Sequence, residues 1–308
     1  MIVCPLCHGS LVEENNSLRC RTCARSYGKS SAGFLDLTTD DAAYEKGATT
    51  HKYAEDQSSS RARLWTDFLK PLLSQRPFER VLDVGCGVGK IVTLARQDGV
   101  EAYGVDLPAL TPFWSQAGND PDYFSSCDAG LLPFSDHSFD VVWSLGVIEH
   151  IGTETGHCTL AANYLETRQQ YVDEILRVTK QNGRIIIACP NKHFPVDIQH
   201  GPVDAMTPLS ESVKIRSRIF ERTGINVHRV TGRYHLASYS EVKALFCKDG
   251  RVCRFTPLPL KNYFAFARFQ SGFLRNVSAL AQSYVNKLPG FLLDTFLNPY
   301  VLVLIEKS

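Results

Sequence analysis

Short apolar runs alternate with helix-like stretches over the central part of the chain. Four runs rich in β-branched and aromatic residues predict strands, at 80–84, 102–106, 123–127 and 141–145. Helical spacing of apolar residues follows the first run and recurs between 165 and 178, and basic and glycine signals at 180–183 predict the end of that second helix. Further strands are predicted at 184–189 and 300–305. This alternation predicts an α/β fold with a doubly wound sheet.

A glycine-rich turn lies directly after the first predicted strand. Gly85, Gly87 and Gly89 alternate with Cys86 and Val88, and a predicted helix begins immediately afterwards. Glycines let a ligand approach the backbone closely, and the free N–H groups at a helix N-terminus attract a carboxylate or a phosphate. The strand, turn and helix together predict a ligand-binding loop.

The spacing of the glycines excludes two common nucleotide-binding loops. A P-loop requires a glycine at position 84 and a serine or threonine at position 91, where this chain has Val84 and Ile91. A dinucleotide-binding G-x-G-x-x-G sequence requires a glycine where Lys90 stands. The pattern that remains is G-x-G-x-G behind an acidic Asp83.

The stretch VLDVGCGVG at 81–89 resembles the first motif of class I S-adenosylmethionine-dependent methyltransferases. The resemblance is close over about 61–190 and implies a Rossmann-like, seven-stranded doubly wound sheet that binds this cofactor. Asp106 ends the second strand as an acid able to accept both ribose hydroxyls, and the resemblance places Asp128 beside the adenine amino group. The predicted cofactor-binding residues are Asp83, Gly85, Cys86, Gly87, Gly89, Asp106, Leu107, Asp128, Ala129 and, through its backbone, Leu145.

Two closely spaced cysteine pairs mark the segment 1–37. Cys4 with Cys7 and Cys20 with Cys23 form two C-x2-C knuckles, which can direct four thiolates at one tetrahedral ion. About 35 residues bury too little apolar surface to fold alone, so a structural Zn²⁺ would supply the missing stability. The pattern predicts a zinc ribbon, with unrelated buried thiols or a redox pair as the alternatives.

The predicted ribbon resembles two kinds of known segment. Tyr27 and the G-x-x-D-L sequence at 33–37 are similar to the end of small ribbons that precede many methyltransferase domains, although His8 and Ala24 stand where such knuckles often carry glycine. CPLCHGSL also resembles the start of a ribosomal-RNA guanine methyltransferase family, which usually completes its site with a histidine where this chain has Cys23. The second resemblance keeps RNA open as an acceptor.

The rest of the chain is predicted to form one methyltransferase domain over 61–308, behind a polar linker or mobile cap at 38–60. In the fold that the resemblance implies, the acceptor enters above the strand ends, so insertions there hold its specificity. We predict a specificity insertion at about 191–235 and a helical insertion at about 263–296.

Histidines near the predicted strand ends are the candidates for acid–base catalysis. Methyl transfer to a hydroxyl benefits from a base with a pKa near neutrality, and histidine is the natural choice. His150 follows the fourth strand, and His193 and His200 lie in the loop after the fifth. A Glu-His pair after this strand is also common in the family without a catalytic duty. Two of these histidines with Asp197 could instead bind a metal, although their spacing is loose.

Two side-chain patterns bear on the acceptor. The segment 214–233 has six basic residues and a single acid, Glu221, which favours either an anionic acceptor or a solvated helix face. Its basic members are Lys214, Arg216, Arg218, Arg222, Arg229 and Arg233. Apolar residues at near-helical spacing favour an aromatic or lipid-like acceptor or plain core packing. They are Phe264, Phe266, Phe269, Phe273 and Leu274.

Composition narrows the function without identifying the acceptor. The chain of 308 residues has 33 Lys and Arg against 32 Asp and Glu, a balance that argues against tracking a polyanion. It shows neither a signal peptide nor an apolar run of about 20 residues, so we expect a cytoplasmic protein without a membrane span.

The preferred function is S-adenosylmethionine-dependent methylation of a small molecule through oxygen. The alternatives are RNA methylation with the ribbon as the RNA reader, and a non-catalytic module that binds the cofactor or a protein partner. No residue pattern predicts the acceptor, the methylated atom or the oligomeric state.

Overall fold

The computed structural model divides the chain into two compact units. The first comprises Met1–Ser144, Gln170–Ile185 and Glu306–Ser308, and the second comprises Leu145–Gln169 and Ile186–Ile305. The residues that the structure describes are 1–15, 17–39, 60–154, 159–197, 199, 200, 211–223, 225–228, 230, 235–263 and 272–308. Apart from residues 38, 39 and 60, the predicted linker lies outside them.

Parallel strands form the centre of the first unit. Its strands in chain order are β1 (Leu11–Glu14), β2 (Ser17–Cys20), β3 (Ser26–Tyr27), β4 (Leu35–Asp36), β5 (Arg80–Val84), β6 (Glu101–Asp106), β7 (Phe124–Ser126) and β8 (Phe139–Leu145). The last residue of β8, Leu145, belongs to the second unit. β1, β2 and β3 form an antiparallel sheet of their own. β8, β5, β6, β7 and β4 lie side by side in that order, and each neighbouring pair is parallel.

The burial of β5 and β8 follows from their sequences. Most residues of RVLDV and FDVVWSL are apolar and nearly all are buried, as expected for parallel strands covered on both faces. The helices beside them are a π-helical turn at Leu64–Leu69, α1 (Lys70–Leu73), α2 (Lys90–Gln97) and α3 (Thr111–Gln116). Short 3₁₀ turns lie at Pro108–Leu110 and Pro121–Tyr123.

Besides β8, three elements contain residues of both units. They are α4 (Tyr164–Val178), β9 (Thr179–Pro190) and β13 (Tyr300–Lys307). With β12 (Cys253–Pro257), the strand order is β12-β13-β9-β8-β5-β6-β7-β4. The predicted α/β fold with a doubly wound, Rossmann-like sheet is confirmed. Over the described residues the sheet has eight strands instead of the predicted seven, because β4 from the amino-terminal segment pairs in parallel with β7.

Two element boundaries differ from those predicted. The helix α4 ends at Val178 and β9 begins at once, so residues 180–183, which were predicted to end the helix, are part of the strand. Lys180 Nζ donates to Asp140 Oδ1 at 2.8 Å, which holds this end of β9 beside β8, and Asn182 takes a φ of 60°. The third predicted strand is shorter, because residues 121–123 form a 3₁₀ turn.

Shorter elements complete the second unit. They are β10 (Val196–Asp197), α5 (Glu211–Thr223), β11 (Asn226–Val227), α6 (Tyr239–Phe246), α7 (Gly272–Lys287) and 3₁₀ turns at Ile148–His150, Lys248–Gly250 and Gly290–Leu292. β10 and β11 form an antiparallel pair, and β12, β13 and β9 are neighbours in that order. Ser238 and Glu241 form a capping box that begins α6.

The insertions are described only in part. α7 lies inside the predicted helical insertion, but Phe264, Phe266 and Phe269 are outside the described residues, as are Arg229 and Arg233 of the basic run. α5 exposes Lys214, Arg218 and Arg222, whereas Arg216 is buried and donates to the carbonyl of Val227 at 3.3 Å. Among the described residues, no helix has both the length and the apolar character needed to cross a bilayer.

Candidate functional site

The glycine-rich loop after β5 is fastened to the end of β6. The N–H groups of Gly85 and Cys86 both donate to the carbonyl of Val105, at 2.9 and 3.0 Å. The N–H of Gly87 donates to Asp106 Oδ2 at 2.7 Å, and the other oxygen of Asp106 accepts the N–H of Leu107 at 2.7 Å. The acid at the end of β6 therefore holds the loop.

Left-handed backbone angles explain the loop's glycines. Gly85, Gly87 and Gly89 have φ values of 80°, 57° and 79°, a region that glycine adopts without strain. At Gly89 there is also no space, because a Cβ there would lie 2.5 Å from the ring of Phe124 and 2.7 Å from Nδ2 of Asn119. The G-x-G-x-G spacing is thus a requirement of this turn.

Two residues that sequence reasoning missed brace the same loop. The indole Nε1 of Trp114 donates to the carbonyl of Gly87 at 2.7 Å, and Nδ2 of Asn119 donates to the carbonyl of Val88 at 3.3 Å. Oγ1 of Thr93, in α2, donates in turn to Oδ1 of Asn119 at 2.8 Å. These contacts join segments that no local pattern connects.

Burial sets the electrostatics of the two acids beside the loop. Asp83 is 3% exposed within β5, and burial raises its pKa to about 7. Burial likewise raises the pKa of Asp106 to about 6, although the N–H groups of Leu107 and Gly87 and the charge of Arg61 act in the opposite direction. Asp106 carries its charge at neutral pH and can accept hydrogen bonds from hydroxyl groups.

The other predicted cofactor residues lie at strand ends. Asp128 follows β7, and its Oδ1 accepts the N–H of Gly130 at 2.7 Å. Ala129 is partly buried, Cys86 is buried within the loop, and Leu145 is buried at the end of β8. Binding of a cofactor by these residues stays a prediction.

The loop and Asp106 fit the methionine and ribose parts of S-adenosylmethionine. At the three glycines the backbone carries no side chain, so a ligand can approach it closely. The partly exposed carboxylate of Asp106, fixed by two backbone N–H groups, is the acceptor that a ribose diol requires.

Four thiols meet in the amino-terminal segment. The sulfur atoms of Cys4, Cys7, Cys20 and Cys23 all lie within 4.8 Å of one another. Two pairs approach to 3.6 Å (Cys4 and Cys23) and 3.5 Å (Cys7 and Cys20). In a tetrahedral zinc site with Zn–S bonds of about 2.3 Å, neighbouring sulfurs lie about 3.8 Å apart. The predicted set of ligands thus fits Zn²⁺.

The backbone of both knuckles is arranged alike. The N–H of His8 donates to the carbonyl of Cys4, and the N–H of Ala24 to that of Cys20. His8 and Ala24 have φ values of 55° and 60°, which explains why glycine is common at these positions. The N–H groups of Cys23 and Thr22 donate to Sγ of Cys20 and lower the pKa of that thiol to about 6. Such donors favour the thiolate, the form that binds metal.

A second group of ionisable side chains lies in the second unit, and we call Glu149, His150, Asp197, His200 and His235 the histidine cluster. Nε2 of His150 and Nε2 of His200 are 3.3 Å apart, and Nδ1 of His200 lies 2.9 Å from Oδ2 of Asp197. The ring of His235 is 5.1 Å from that of His200 and 6.3 Å from that of His150. The structure thus brings together two of the three predicted catalytic histidines.

Short elements position the histidine cluster. Glu149 and His150 lie in the 3₁₀ turn after β8, and Asp197 lies in β10 opposite Asn226 of β11. Nδ2 of Asn226 also donates to the carbonyl of His200 at 2.7 Å. The predicted candidate His193 is placed differently, because its ring is exposed and its Nδ1 contacts the carbonyl of Val230 at 3.0 Å.

Burial makes the cluster electrostatically unusual. Glu149 is fully buried, which raises its pKa to about 7, and the burial of His235 lowers its pKa to about 3. Arg168, 3% exposed, donates from Nε to the carbonyl of Ile151 at 3.1 Å and from a terminal nitrogen to the carbonyl of His235. Sequence reasoning missed Arg168 and His235 as members of this neighbourhood.

Comparison with known proteins identifies the central region. Residues 82–187, about a third of the chain, match a family model described as a methyltransferase domain. A solved structure of a SAM-dependent methyltransferase from Archaeoglobus fulgidus is 16% identical, covers 84% of this chain and 100% of that chain, and has a TM-score of 0.42.

Curated relatives differ in what they methylate. The malonyl-[acyl-carrier protein] O-methyltransferase of Enterobacter lignolyticus is 29% identical over 41% of this chain and 45% of its own length. "Probable tRNA methyltransferase 9B" of Mus musculus is 31% identical over 41% of this chain and 25% of its own length. The chloroplastic tocopherol O-methyltransferase of Arabidopsis thaliana is 31% identical over 37% of this chain and 30% of its own length. The chain therefore spans less than half the length of these relatives. Together, the fold and the family match show that this chain contains an S-adenosylmethionine-dependent methyltransferase domain.

Proposed function

We propose that the protein transfers a methyl group from S-adenosylmethionine to a hydroxyl oxygen of a small molecule. The observation that carries the cofactor half of the proposal is the glycine-rich loop held by the carboxylate of Asp106. The relatives that methylate oxygen, on malonyl-acyl-carrier protein and tocopherol, support the choice of oxygen.

The predicted residues divide the task of holding the cofactor. The backbone of Gly85, Gly87 and Gly89 would lie against the methionine part, and Asp106 would accept hydrogen bonds from the ribose hydroxyls. Asp128 would lie beside the adenine amino group, as the family resemblance implies. S-adenosylmethionine supplies a methyl group on a sulfonium, so the protein's main contribution is to position the acceptor and exclude water.

The histidine cluster supports an acceptor that must lose a proton. His200 is oriented by Asp197, and its Nε2 faces Nε2 of His150, so the pair can hold a proton at this point. His193, exposed and bonded to a backbone carbonyl, has less support as a base. This proton-accepting role supports a hydroxyl group as the acceptor.

The proposal also includes a Zn²⁺ ion that is bound by the ribbon and has a structural role. The donor set of four cysteines and the N–H groups that donate to Cys20 support it. We expect one Zn²⁺ to be lost on Cys20→Ser, with the ribbon unfolding and the glycine-rich loop retained. Zinc content and S-adenosylmethionine binding of this variant would check both parts. A cytoplasmic location stays a prediction.

RNA methylation is the second candidate function. The resemblance of the ribbon to an RNA methyltransferase family and the mouse relative named as a tRNA methyltransferase favour it. A salt-sensitive RNA gel shift, together with methyl transfer to RNA, would replace the small-molecule proposal. Cofactor binding without any turnover would support a binding module instead.

The decisive experiment is calorimetry of S-adenosylmethionine binding. We expect wild-type protein to bind and Asp106→Ala to bind about 100-fold more weakly, because hydrogen bonds to a charged group are worth about 1.5–3 kcal/mol each. Asp122→Ala, at an exposed acid of the same unit, is the control and should bind as the wild type does. Absence of wild-type binding would exclude the proposal. If the wild type binds, acceptor pools would next be screened for formation of S-adenosylhomocysteine.

A further inference from the structure

The histidine cluster has the composition and spacing of a metal site. Glu149, His150 and His200 each offer one ligand atom, and these three atoms all lie within 4.8 Å of one another. We propose that these three residues bind a divalent transition-metal ion, as a site separate from the four cysteines of the ribbon. Two imidazoles and one carboxylate form a set that suits Zn²⁺, Mn²⁺ or Fe²⁺ and leaves coordination positions open.

The distance between the two histidines supports a shared cation. Nε2 of His150 and Nε2 of His200 are 3.3 Å apart. With metal–nitrogen bonds of about 2.0–2.1 Å, two imidazoles on a tetrahedral ion have nitrogens about 3.3–3.4 Å apart. The two side chains are therefore at the separation that a common metal ion imposes.

Asp197 prepares His200 for this role. Its Oδ2 lies 2.9 Å from Nδ1 of His200, and a carboxylate at that position requires Nδ1 to carry the hydrogen. The lone pair of His200 is then on Nε2, which faces His150. Oδ1 of Asp197 accepts the N–H groups of Gln199 and His200, at 2.9 and 3.1 Å, so the carboxylate is itself fixed. A histidine oriented by a carboxylate in this way is typical of metal sites.

Glu149 would supply negative charge to the ion, and only one of its two carboxylate oxygens accepts a hydrogen bond among the described residues. Its side chain is fully buried, and Oε1 accepts Nε2 of Gln199 at 3.2 Å. Oε2 is buried and has no hydrogen-bond partner among the described residues. A buried carboxylate oxygen without a partner is costly, and a bound cation would compensate for it.

Only the catalytic role of the metal rests on the proposed function. An acceptor hydroxyl bound at an open coordination position would have its pKa lowered and would lose its proton to solvent water, so the metal would replace a free histidine as the means of deprotonation. Metal binding itself needs only the geometry of the second unit.

The test is titration of Mn²⁺ into the full-length protein after removal of metal with a chelator, followed by electron paramagnetic resonance. Mn²⁺ prefers oxygen and nitrogen ligands, so it distinguishes this site from the ribbon thiolates. We expect one Mn²⁺ per wild-type chain and at least tenfold weaker binding in His150→Ala, His200→Ala and Glu149→Gln. His193→Ala, a histidine outside the cluster, should bind Mn²⁺ as the wild type does.

Two further results would overturn the inference. One is a wild-type protein that binds no Mn²⁺, and the other is unchanged binding in Glu149→Gln, the variant that keeps the size of the side chain. Calorimetry with S-adenosylmethionine on the same samples separates this inference from the proposed function. Cofactor binding without Mn²⁺ binding would overturn the metal site alone, whereas Mn²⁺ binding without cofactor binding would overturn the proposed function alone.

Discussion

The glycine-rich loop and the histidine cluster are built in opposite ways. In the loop, Asp83, Gly85, Gly87 and Gly89 lie within seven consecutive residues, and the backbone itself is the proposed binding surface. In the cluster, residues 149 and 150 meet residues 197, 200 and 235, so all its contacts join distant parts of the sequence except those of Glu149 with His150 and of Asp197 with His200. The loop depends on main-chain angles, and the cluster depends on tertiary packing.

This difference determines how each region should fail. A loop of left-handed glycines fails when a side chain is added, because neither the angle nor the space permits it. A cluster of largely buried polar side chains is disrupted when a supporting side chain is removed, because polar groups then lose their partners. Substitutions in one region should leave the ligand of the other region bound.

The largest effect is expected at Gly89. Gly89→Ala would place a Cβ at a φ of 79° and 2.5 Å from the ring of Phe124, so we expect the free energy of unfolding to fall by about 4 kcal/mol. Urea unfolding measures this value. Gly99→Ala is the matched control, since Gly99 has a φ of 84° but no atom within 4 Å of the added Cβ, and about 1 kcal/mol is expected. Equal losses in the two variants would show that space in the loop is unimportant.

Removal of Arg168 should have the next largest effect, in the other region. Arg168→Met leaves the carbonyls of Ile151 and His235 without a buried donor, and we expect a loss of about 2–3 kcal/mol. Arg63→Met, at an arginine whose side chain is 52% exposed, should change stability by no more than about 0.5 kcal/mol.

Arg168→Met also tests the independence of the two regions. We expect Mn²⁺ binding to weaken and the affinity for S-adenosylmethionine to stay unchanged. A parallel loss of both ligands would contradict this independence, because it would show that the two regions fold and bind as one.

The same contrast explains what could be predicted from the sequence. The loop directly follows its strand and Asp106 ends the next predicted strand, so sequence patterns were enough to propose them, and the α/β fold that carries them is confirmed. The brace from Trp114 to Gly87 joins residues 27 apart without a periodic signal, so it was missed. The pairing of β4 with β7 was missed for a similar reason, because two residues from another segment give no strand pattern.

Long-range packing also explains the partial success with the histidines. His150, His193 and His200 were equivalent candidates in the sequence, and the spacing of two of them with Asp197 was too loose to predict a metal site. The pairing of β10 with β11 places Asp197 beside His200, and the turn after β8 presents His150. Only this tertiary arrangement separates His200 from the exposed His193.

A smaller effect is expected from the titration of Asp106. Because burial raises its pKa to about 6, the carboxylate that would accept the ribose hydroxyls is protonated as the pH falls below this value. Affinity for S-adenosylmethionine should therefore fall about tenfold between pH 7 and pH 5, an effect that calorimetry can measure. Asp106→Asn should bind weakly with no such dependence, and a wild-type affinity that is constant over this range would contradict the assignment.

The titration also has a defined sign for stability. The folded pKa of Asp106 lies above its unfolded value of 3.8, so the native state binds more protons between these two values. Without ligand, this group's contribution to stability is present at low pH and is lost as the pH rises through about 6. Asp106→Asn should remove that contribution, so it should flatten the dependence of the unfolding free energy on pH in this range.

The smallest effect is expected at Tyr300, which acts on the histidine cluster through one intermediate residue. Its hydroxyl donates to Oε1 of Gln199 at 2.6 Å, and Nε2 of Gln199 donates to Glu149 at 3.2 Å. Tyr300→Phe would free the amide to rotate away from the carboxylate, so we expect Mn²⁺ binding to weaken about fivefold, equivalent to about 1 kcal/mol. Tyr284→Phe also removes a hydroxyl donor, here to the carbonyl of Leu297, but it should leave Mn²⁺ affinity unchanged. If both variants bind Mn²⁺ like the wild type, Glu149 is oriented by its own burial, and the cluster depends on fewer distant contacts than the comparison with the loop implies.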